Sequence, residues 1–137
     1  MNRRRAQAGF SLIEILLVVG IIAFIATMVA TNIVGASEGA KLKQARAGVA
    51  SVAQKINSYY LDIGSVPGSI DDLSTKPSNA ANWKGPYLIP SQLLDPWKVP
   101  YAYKIDANSN QGFVVISYGP DKIEGGSEKN KDITSLD

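Results

Sequence analysis

One carboxylate inside an otherwise apolar segment stands out first, because its charge has no obvious partner. Glu14 is the only charged residue between Phe10 and Ser37. An acidic side chain within a membrane-spanning segment costs about 3 kcal/mol and is therefore a candidate functional group. The 137 residues include no His and no Cys, which excludes disulfides, thiolate metal sites and the commonest general base. No acid–base pair with catalytic spacing stands out either, and we expect a structural or binding protein that is not an enzyme.

The segment that carries Glu14 is long enough to cross a membrane. As a helix, residues 10–37 would extend about 42 Å, whereas the apolar core of a bilayer is about 30 Å thick. Three arginines at residues 3–5 precede the segment and favour an N-terminus on the cytoplasmic side. A secretory signal would have a shorter apolar region, and a plain membrane anchor would leave Glu14 unexplained.

Two explanations for Glu14 are open from the residues alone. If a peptidase cut after Gly9, Phe10 would carry a new α-amino group about one helical turn from Glu14, and a neighbouring subunit's amine could approach as closely. A buried carboxylate is tolerated when it has an opposite charge and hydrogen bonds, and the amine would supply both. Alternatively, lipid headgroups near the membrane surface could solvate the carboxylate.

A helical pattern continues beyond the apolar segment, over residues 38–63. Apolar residues recur there at spacings of three and four, which predicts a helix with one buried face. No proline interrupts residues 10–63, so we expect a single helix of about 54 residues. Basic residues around Lys41–Arg46 are a weaker candidate for contact with acidic groups on a neighbouring subunit. The apolar stripe consists of Leu42, Ala45, Val49, Val52, Ile56, Tyr59 and Ile63.

The rest of the chain predicts an ordered loop followed by a small sheet. Gly64 ends the helical pattern, and the following residues are rich in Pro, Ser, Asn and Asp, with Ser69 suited to cap a short helical turn. Two alternating segments flank a turn-rich stretch, which predicts a β-hairpin with Val114 and Ile116 facing away from Phe113 and Val115. Packing this sheet on the helix gives an α+β fold. The predicted strands cover residues 101–105, 113–117 and, less regularly, 132–136.

The N-terminal residues resemble a known leader sequence. RRRAQAG followed by FSLIEILLVVGIIAFIA resembles the class III leader of type IV pilins and type II secretion pseudopilins. The resemblance implies that a prepilin peptidase cuts between Gly9 and Phe10, that Phe10 is N-methylated, and that Glu14 pairs with a subunit's amino terminus during assembly. Cleavage would remove three arginines and no acid, taking the side-chain charge from +2 to −1. The basic charge of the uncut chain is therefore no sign of a nucleic-acid partner.

Motifs in the second half of the chain resemble the major pseudopilin family of type II secretion. They are YLDIGSVPGSIDDL, WKGPYL and DPW. The resemblance implies a type IV pilin-like α+β fold. The chain departs from the family, which usually has Gly-Asn at Lys98-Val99 and a proline at Thr31. The implied organisation is a cleaved leader at residues 1–9, a transmembrane and filament-core helix at 10–37, and a periplasmic domain at 38–137 with helix 38–63, ordered loop 64–98, and sheet and C-terminal loop 99–137.

The segment Tyr118–Asp132 is rich in oxygen donors around two glycines. From the residues alone it is either a solvated loop or a calcium site, since calcium prefers carboxylate and carbonyl oxygens. The resemblance favours calcium, because the family's G-A-D-G-x-x-G-G tail binds it. Three added lysines argue against the metal, and a lysine–carboxylate pair could replace it. The implied ligands are Asp121, Glu128 and the Tyr118 carbonyl, with Ser127 and Asp132 as weaker candidates; the departures are Pro120, Lys122, Lys129 and Lys131.

Together these patterns predict a structural subunit that polymerises into the periplasmic pseudopilus of a type II secretion system, driving export of folded proteins. Its expected partners are further copies of itself, the prepilin peptidase, minor pseudopilins, the inner-membrane assembly platform and, before assembly, the membrane; no nucleic acid is expected. It would cross the bacterial inner membrane once, with its N-terminus in the cytoplasm, and become periplasmic after processing. The alternatives are a type IV pilin, which commonly has a disulfide, and a membrane-anchored periplasmic binding module.

Overall fold

A single long helix opens the computed structural model, which describes residues 10–137. Helix α1 runs from Leu12 to Ile63 without a break, so the predicted helix is confirmed. Its course continues past Thr31, whose hydroxyl donates a hydrogen bond to the Met28 carbonyl at 3.0 Å. A threonine keeps the backbone amide that a proline would remove at this position.

The chain divides into two compact units, with the boundary between Glu38 and Gly39. In the described residues of the first unit, α1 is the only element, and its large apolar side chains are exposed, from Leu12 at 79% to Val18 and Ile21 at 51%. Within residues 10–137, α1 is the one helix long and apolar enough to cross a membrane.

The second unit, which we call the globular unit, is built on the apolar stripe of α1. Five stripe residues are buried and the two end members, Leu42 and Ile63, are partly buried, which confirms the predicted face. The loop between α1 and the sheet, residues 64–101, contributes further buried residues and is called the helix–sheet loop below. The core against the stripe consists of Leu73, Leu88, Leu93, Tyr101, Phe113, Val115 and Ile133.

One contact in this core depends on the absence of a side chain. A Cβ atom built on Gly48 of α1 would lie 2.0 Å from the hydroxyl oxygen of Tyr101. Glycine therefore allows the Tyr101 ring to lie directly on the helix backbone. Burial, followed by the charge of Asp95, raises the pKa of this tyrosine.

The sheet has three antiparallel strands in the order β1-β2-β3, and the predicted hairpin is confirmed. The central strand is buried along its whole length, so the face that carries Val114 and Ile116 is covered as well as the face of Phe113 and Val115. In contrast, Ile105 at the end of the first strand is 61% exposed. The strands are β1 at Ala102–Ile105, β2 at Phe113–Ser117 and β3 at Ile133–Thr134.

Short 3-10 helices organise the loops. The first, Ile70–Leu73, confirms the turn predicted after Ser69, whose side chain accepts a hydrogen bond from the Asp71 amide. Asp72 completes a capping box by accepting from the backbone amide of Ser69 at 3.1 Å. Two others, Pro90–Leu93 and Glu128–Asn130, were not expected from the sequence.

Candidate functional site

Glu14 lies in the first turn of α1 with an exposed side chain. Its Oε2 atom accepts a hydrogen bond from the Ser11 amide at 3.3 Å, and its own amide donates to the Ser11 carbonyl at 3.0 Å. The side-chain bond is half of a capping box, which satisfies a backbone amide that the helix leaves unpaired. Sequence reasoning missed this role, although the Ser-x-x-Glu spacing signals it.

The predicted processing site adjoins this turn. Phe10 precedes α1 and is 83% exposed, whereas Gly9 lies outside the described residues. The Phe10 amine that cleavage would create is close in sequence to the Glu14 carboxylate. Cleavage, methylation and the pairing of Glu14 with an amino terminus stay predictions.

A polar cluster, here called the loop anchor, ties the helix–sheet loop to the end of α1. The Asp62 carboxylate receives the Lys84 ammonium on Oδ1 at 2.8 Å and the Tyr87 hydroxyl on Oδ2 at 2.9 Å. The hydrogen bond from Lys84, followed by that from Tyr87, lowers the pKa of Asp62. The rings of Tyr59 and Trp83 pack edge-on against Tyr87, with centroids 5.6 and 5.9 Å away. The anchor thus joins the YLDIG and WKGPYL motifs, which lie far apart in the sequence.

A second carboxylate, Asp95, organises the far end of the same loop. It is only 3% exposed and accepts hydrogen bonds on Oδ1 from the amides of Trp97 and Val99, both at 2.9 Å. On Oδ2 it accepts from the Ser117 hydroxyl at 2.8 Å, which links the loop to β2. Between these contacts Lys98 adopts a φ of +64°, a backbone conformation that favours glycine. The glycine usual in the resembled family therefore matches a position where lysine is strained.

The residues predicted to bind calcium lie in the segment between β2 and β3, residues 118–132, which we call the tail loop. Asp121 accepts a hydrogen bond from the Ile123 amide at 3.3 Å, and Asp132 accepts on Oδ2 from the Gly125 amide at 2.9 Å. Glu128 begins a 3-10 helix with an exposed side chain, and Ser127 before it makes no side-chain capping bond. Tyr118 directly follows β2 and is half-buried. The predicted ligands thus share one loop, but two of their carboxylates already accept hydrogen bonds from its backbone.

Two residues that sequence reasoning did not single out meet at this loop. Lys104 of β1 forms an ion pair with Glu124 of the tail loop. Nearby in the loop, the Oδ1 atom of Asp132 is buried, with no hydrogen-bond partner in the described part of the chain. The partners are 20 residues apart in sequence, so no local spacing signals the pair.

The acids of the tail loop do not fit a calcium centre built on several carboxylates. Calcium takes about six to eight oxygen ligands. Across residues 10–137, no three acidic side chains converge to hold a metal ion, and Glu124 already pairs with Lys104. One buried, unpaired oxygen of Asp132 is too little for such a centre. Calcium binding at this loop stays a prediction.

Family models and known relatives agree with this architecture. A model described as type II secretion system (T2SS), protein G matches residues 32–136, and one described as prokaryotic N-terminal methylation motif matches residues 4–30. The type II secretion system core protein G of Xanthomonas campestris pv. campestris is 37% identical over 130 residues, covering 95% of this chain and 90% of the relative. That of Pseudomonas aeruginosa is 31% identical over 141 residues, covering 98% and 99%.

A solved structure shows the same fold. The crystal structure of the major pseudopilin from the type 2 secretion system of enterohaemorrhagic Escherichia coli superposes with a TM-score of 0.58 at 22% identity. The match covers 76% of this chain and 93% of the other, and it confirms the predicted pilin-like α+β architecture. With a protein G model spanning most of the sequence and relatives above 30% identity aligned over nearly all of it, the chain belongs to the type II secretion system protein G family.

Proposed function

We propose that this chain is the major structural subunit of a type II secretion pseudopilus, a periplasmic filament whose growth drives export of folded proteins. The observation that carries the proposal is the exposed apolar helix of the first unit in a member of the protein G family. Exposed apolar surface of this extent needs a bilayer or neighbouring apolar helices to cover it. A chain that first lies in the membrane and then stacks its helix against further copies of itself meets both needs.

Glu14 supplies the specific contact for this assembly. Its carboxylate accepts a hydrogen bond from the Ser11 amide at the start of α1, one turn from the amine that cleavage before Phe10 would create. In an apolar filament core, an ammonium group from a neighbouring subunit would neutralise the charge of the carboxylate and donate hydrogen bonds to it. Glu14 would thereby set the register in which one subunit joins the next.

The proposed partners and location follow from the same segment. Arginines at residues 3–5 would hold the N-terminus in the cytoplasm, and the helix would cross the inner membrane once. The match to the N-terminal methylation motif supports processing by a prepilin peptidase. Minor pseudopilins and the inner-membrane assembly platform would receive the processed subunit. Membership of the protein G family favours this function over a type IV pilin or an anchored binding module.

The test separates processing from assembly. The full chain would be produced in cells with its own secretion system, and its intact mass measured together with filament formation and export of a secreted reporter. We expect loss of residues 1–9 and gain of one methyl group. Glu14→Gln should be processed like the wild type but fail to form filaments or restore export. A chain that stays uncut would overturn the function, and normal filaments from Glu14→Gln would overturn the electrostatic pairing.

A further inference from the structure

The tail loop needs a fastening that its backbone contacts do not supply. It connects β2 to β3, which pair over only two positions, Ile116 with Thr134 and Ser117 with Ile133. Residues 122–131 are all exposed, so the loop contributes little apolar burial of its own. Ordering a flexible loop costs conformational entropy, and polar contacts must offset that cost here.

An ion pair connects the loop to β1. Lys104 lies in the register of β1 opposite Val114 of β2, and its ammonium binds the Glu124 carboxylate in the middle of the tail loop. The pair therefore connects the loop to the strand on the other side of β2 from β3. In the same loop, Lys131 pairs with Asp137 at 3.7 Å and not with Glu124.

Asp132 is a second carboxylate of the loop, and its hydrogen bonding is incomplete. Its Oδ2 atom accepts from the Gly125 amide, while its Oδ1 atom is buried without a partner in the described residues. A buried carboxylate oxygen without a donor or counter-charge is costly. The hydrogen bond with Glu124, then its charge and, more weakly, the charges of Tyr118 and Asp132 raise the pKa of Lys104. Lys104 forms its ion pair with Glu124, whereas the charge of Asp132 acts on the ammonium only over a longer distance.

We propose that the Lys104 ammonium is the built-in cation of the tail loop, pairing with Glu124 and fastening the loop to β1 where a divalent metal would otherwise be needed. The loop then keeps its fold whether or not calcium is present. This inference concerns the stability of the globular unit and does not depend on filament assembly, so its failure would leave the proposed function intact.

The experiment compares full-length variants in detergent micelles. Melting temperatures of the wild type, Lys104→Met and the control Lys76→Met, an exposed lysine of the helix–sheet loop, would be measured with millimolar calcium chloride and with EDTA. The wild type should melt at the same temperature in both. Lys104→Met should melt about 2–4 °C lower than Lys76→Met in EDTA, the loss expected for a solvent-exposed ion pair in a domain of this size.

Two results with the wild type and the single variants would overturn the proposal. One is a wild type whose melting temperature rises with calcium and falls with EDTA, which would assign the fastening to a metal. The other is a Lys104→Met variant whose melting temperature equals that of Lys76→Met. A double-mutant cycle with Glu124→Gln separates loss of the ion pair from other effects of each substitution. If the two side chains interact, the double variant should lose less melting temperature than the sum of the two single losses. Strict additivity would also reject the pairing.

Discussion

The two irregular segments of the globular unit are held in different ways. The helix–sheet loop inserts apolar residues such as Leu73, Leu88 and Leu93 into the core, whereas residues 122–131 of the tail loop are all exposed. Carboxylates organise both segments, but their surroundings differ. The acid that organises the first segment, Asp95, is 3% exposed, while the side chains of the Lys104–Glu124 pair are 51% and 62% exposed.

This difference determines how much a polar contact contributes to the stability of the whole domain. A hydrogen bond or ion pair in a water-excluded site is strong, and its loss leaves buried groups unpaired. The same chemistry in water contributes little and is screened by salt. We therefore expect the contacts of the helix–sheet loop to contribute more to the global stability of the domain than the contacts of the tail loop.

The largest expected effect comes from removing the acceptor in the buried loop. Asp95→Ala should lower the free energy of unfolding by about 3 kcal/mol, because the amides of Trp97 and Val99 and the Ser117 hydroxyl would lose their acceptor. Denaturant unfolding of the full chain in detergent, followed by tryptophan fluorescence, would measure it. The matched change in the tail loop, Asp121→Ala, removes one 3.3 Å hydrogen bond and should stay within about 0.5 kcal/mol. Equal losses would mean that the two loops belong to one cooperative unit.

A smaller loss tests the contact where the helix–sheet loop meets α1. Gly48→Ala should lower the free energy of unfolding by about 2 kcal/mol, because the new methyl group would overlap the Tyr101 hydroxyl. Gly39→Ala in the same helix is the control, since nothing lies within 4 Å of its added Cβ atom. Alanine should stabilise the helix there by about 1 kcal/mol. A gain at both positions would show that the Tyr101 ring moves aside freely.

Periodicity made the helix and its buried face predictable. Spacings of three and four identified the stripe from Ala45 to Tyr59 because apolar side chains on one helix face must share a core. The same pattern could not reveal Gly48, since a residue without a side chain carries no hydropathy signal. Strand alternation predicted the hairpin and assigned Ile116 to the face opposite Val115, but alternation alone cannot show that both faces of β2 are covered.

The candidate sites were predictable only where a local motif carries them. The leader and Glu14 are read from adjacent residues, and a match to the methylation motif supports the leader. The loop anchor and the Lys104–Glu124 pair join residues 22 and 20 positions apart through the tertiary fold. Nothing in the sequence near Lys104 distinguishes it from the other lysines of the chain. The sequence therefore suggested that a lysine–carboxylate pair could replace calcium, but it did not identify Lys104 as that lysine.

We expect the smallest effects from replacing two strained lysines, one in each segment. Lys98 and Lys122 have φ values of +64° and +62°, where a residue with a Cβ atom is disfavoured. Lys98→Gly should raise the free energy of unfolding by about 0.5–1 kcal/mol, because it relieves strain in a turn that folds with the core. Lys122→Gly relieves the same backbone strain in a segment whose residues 122–131 are all exposed. Its gain in global stability should therefore be smaller than that of Lys98→Gly and should be accompanied by slower amide hydrogen exchange in the tail loop. Equal global gains at both positions would show that the two segments contribute equally to the stability of the domain.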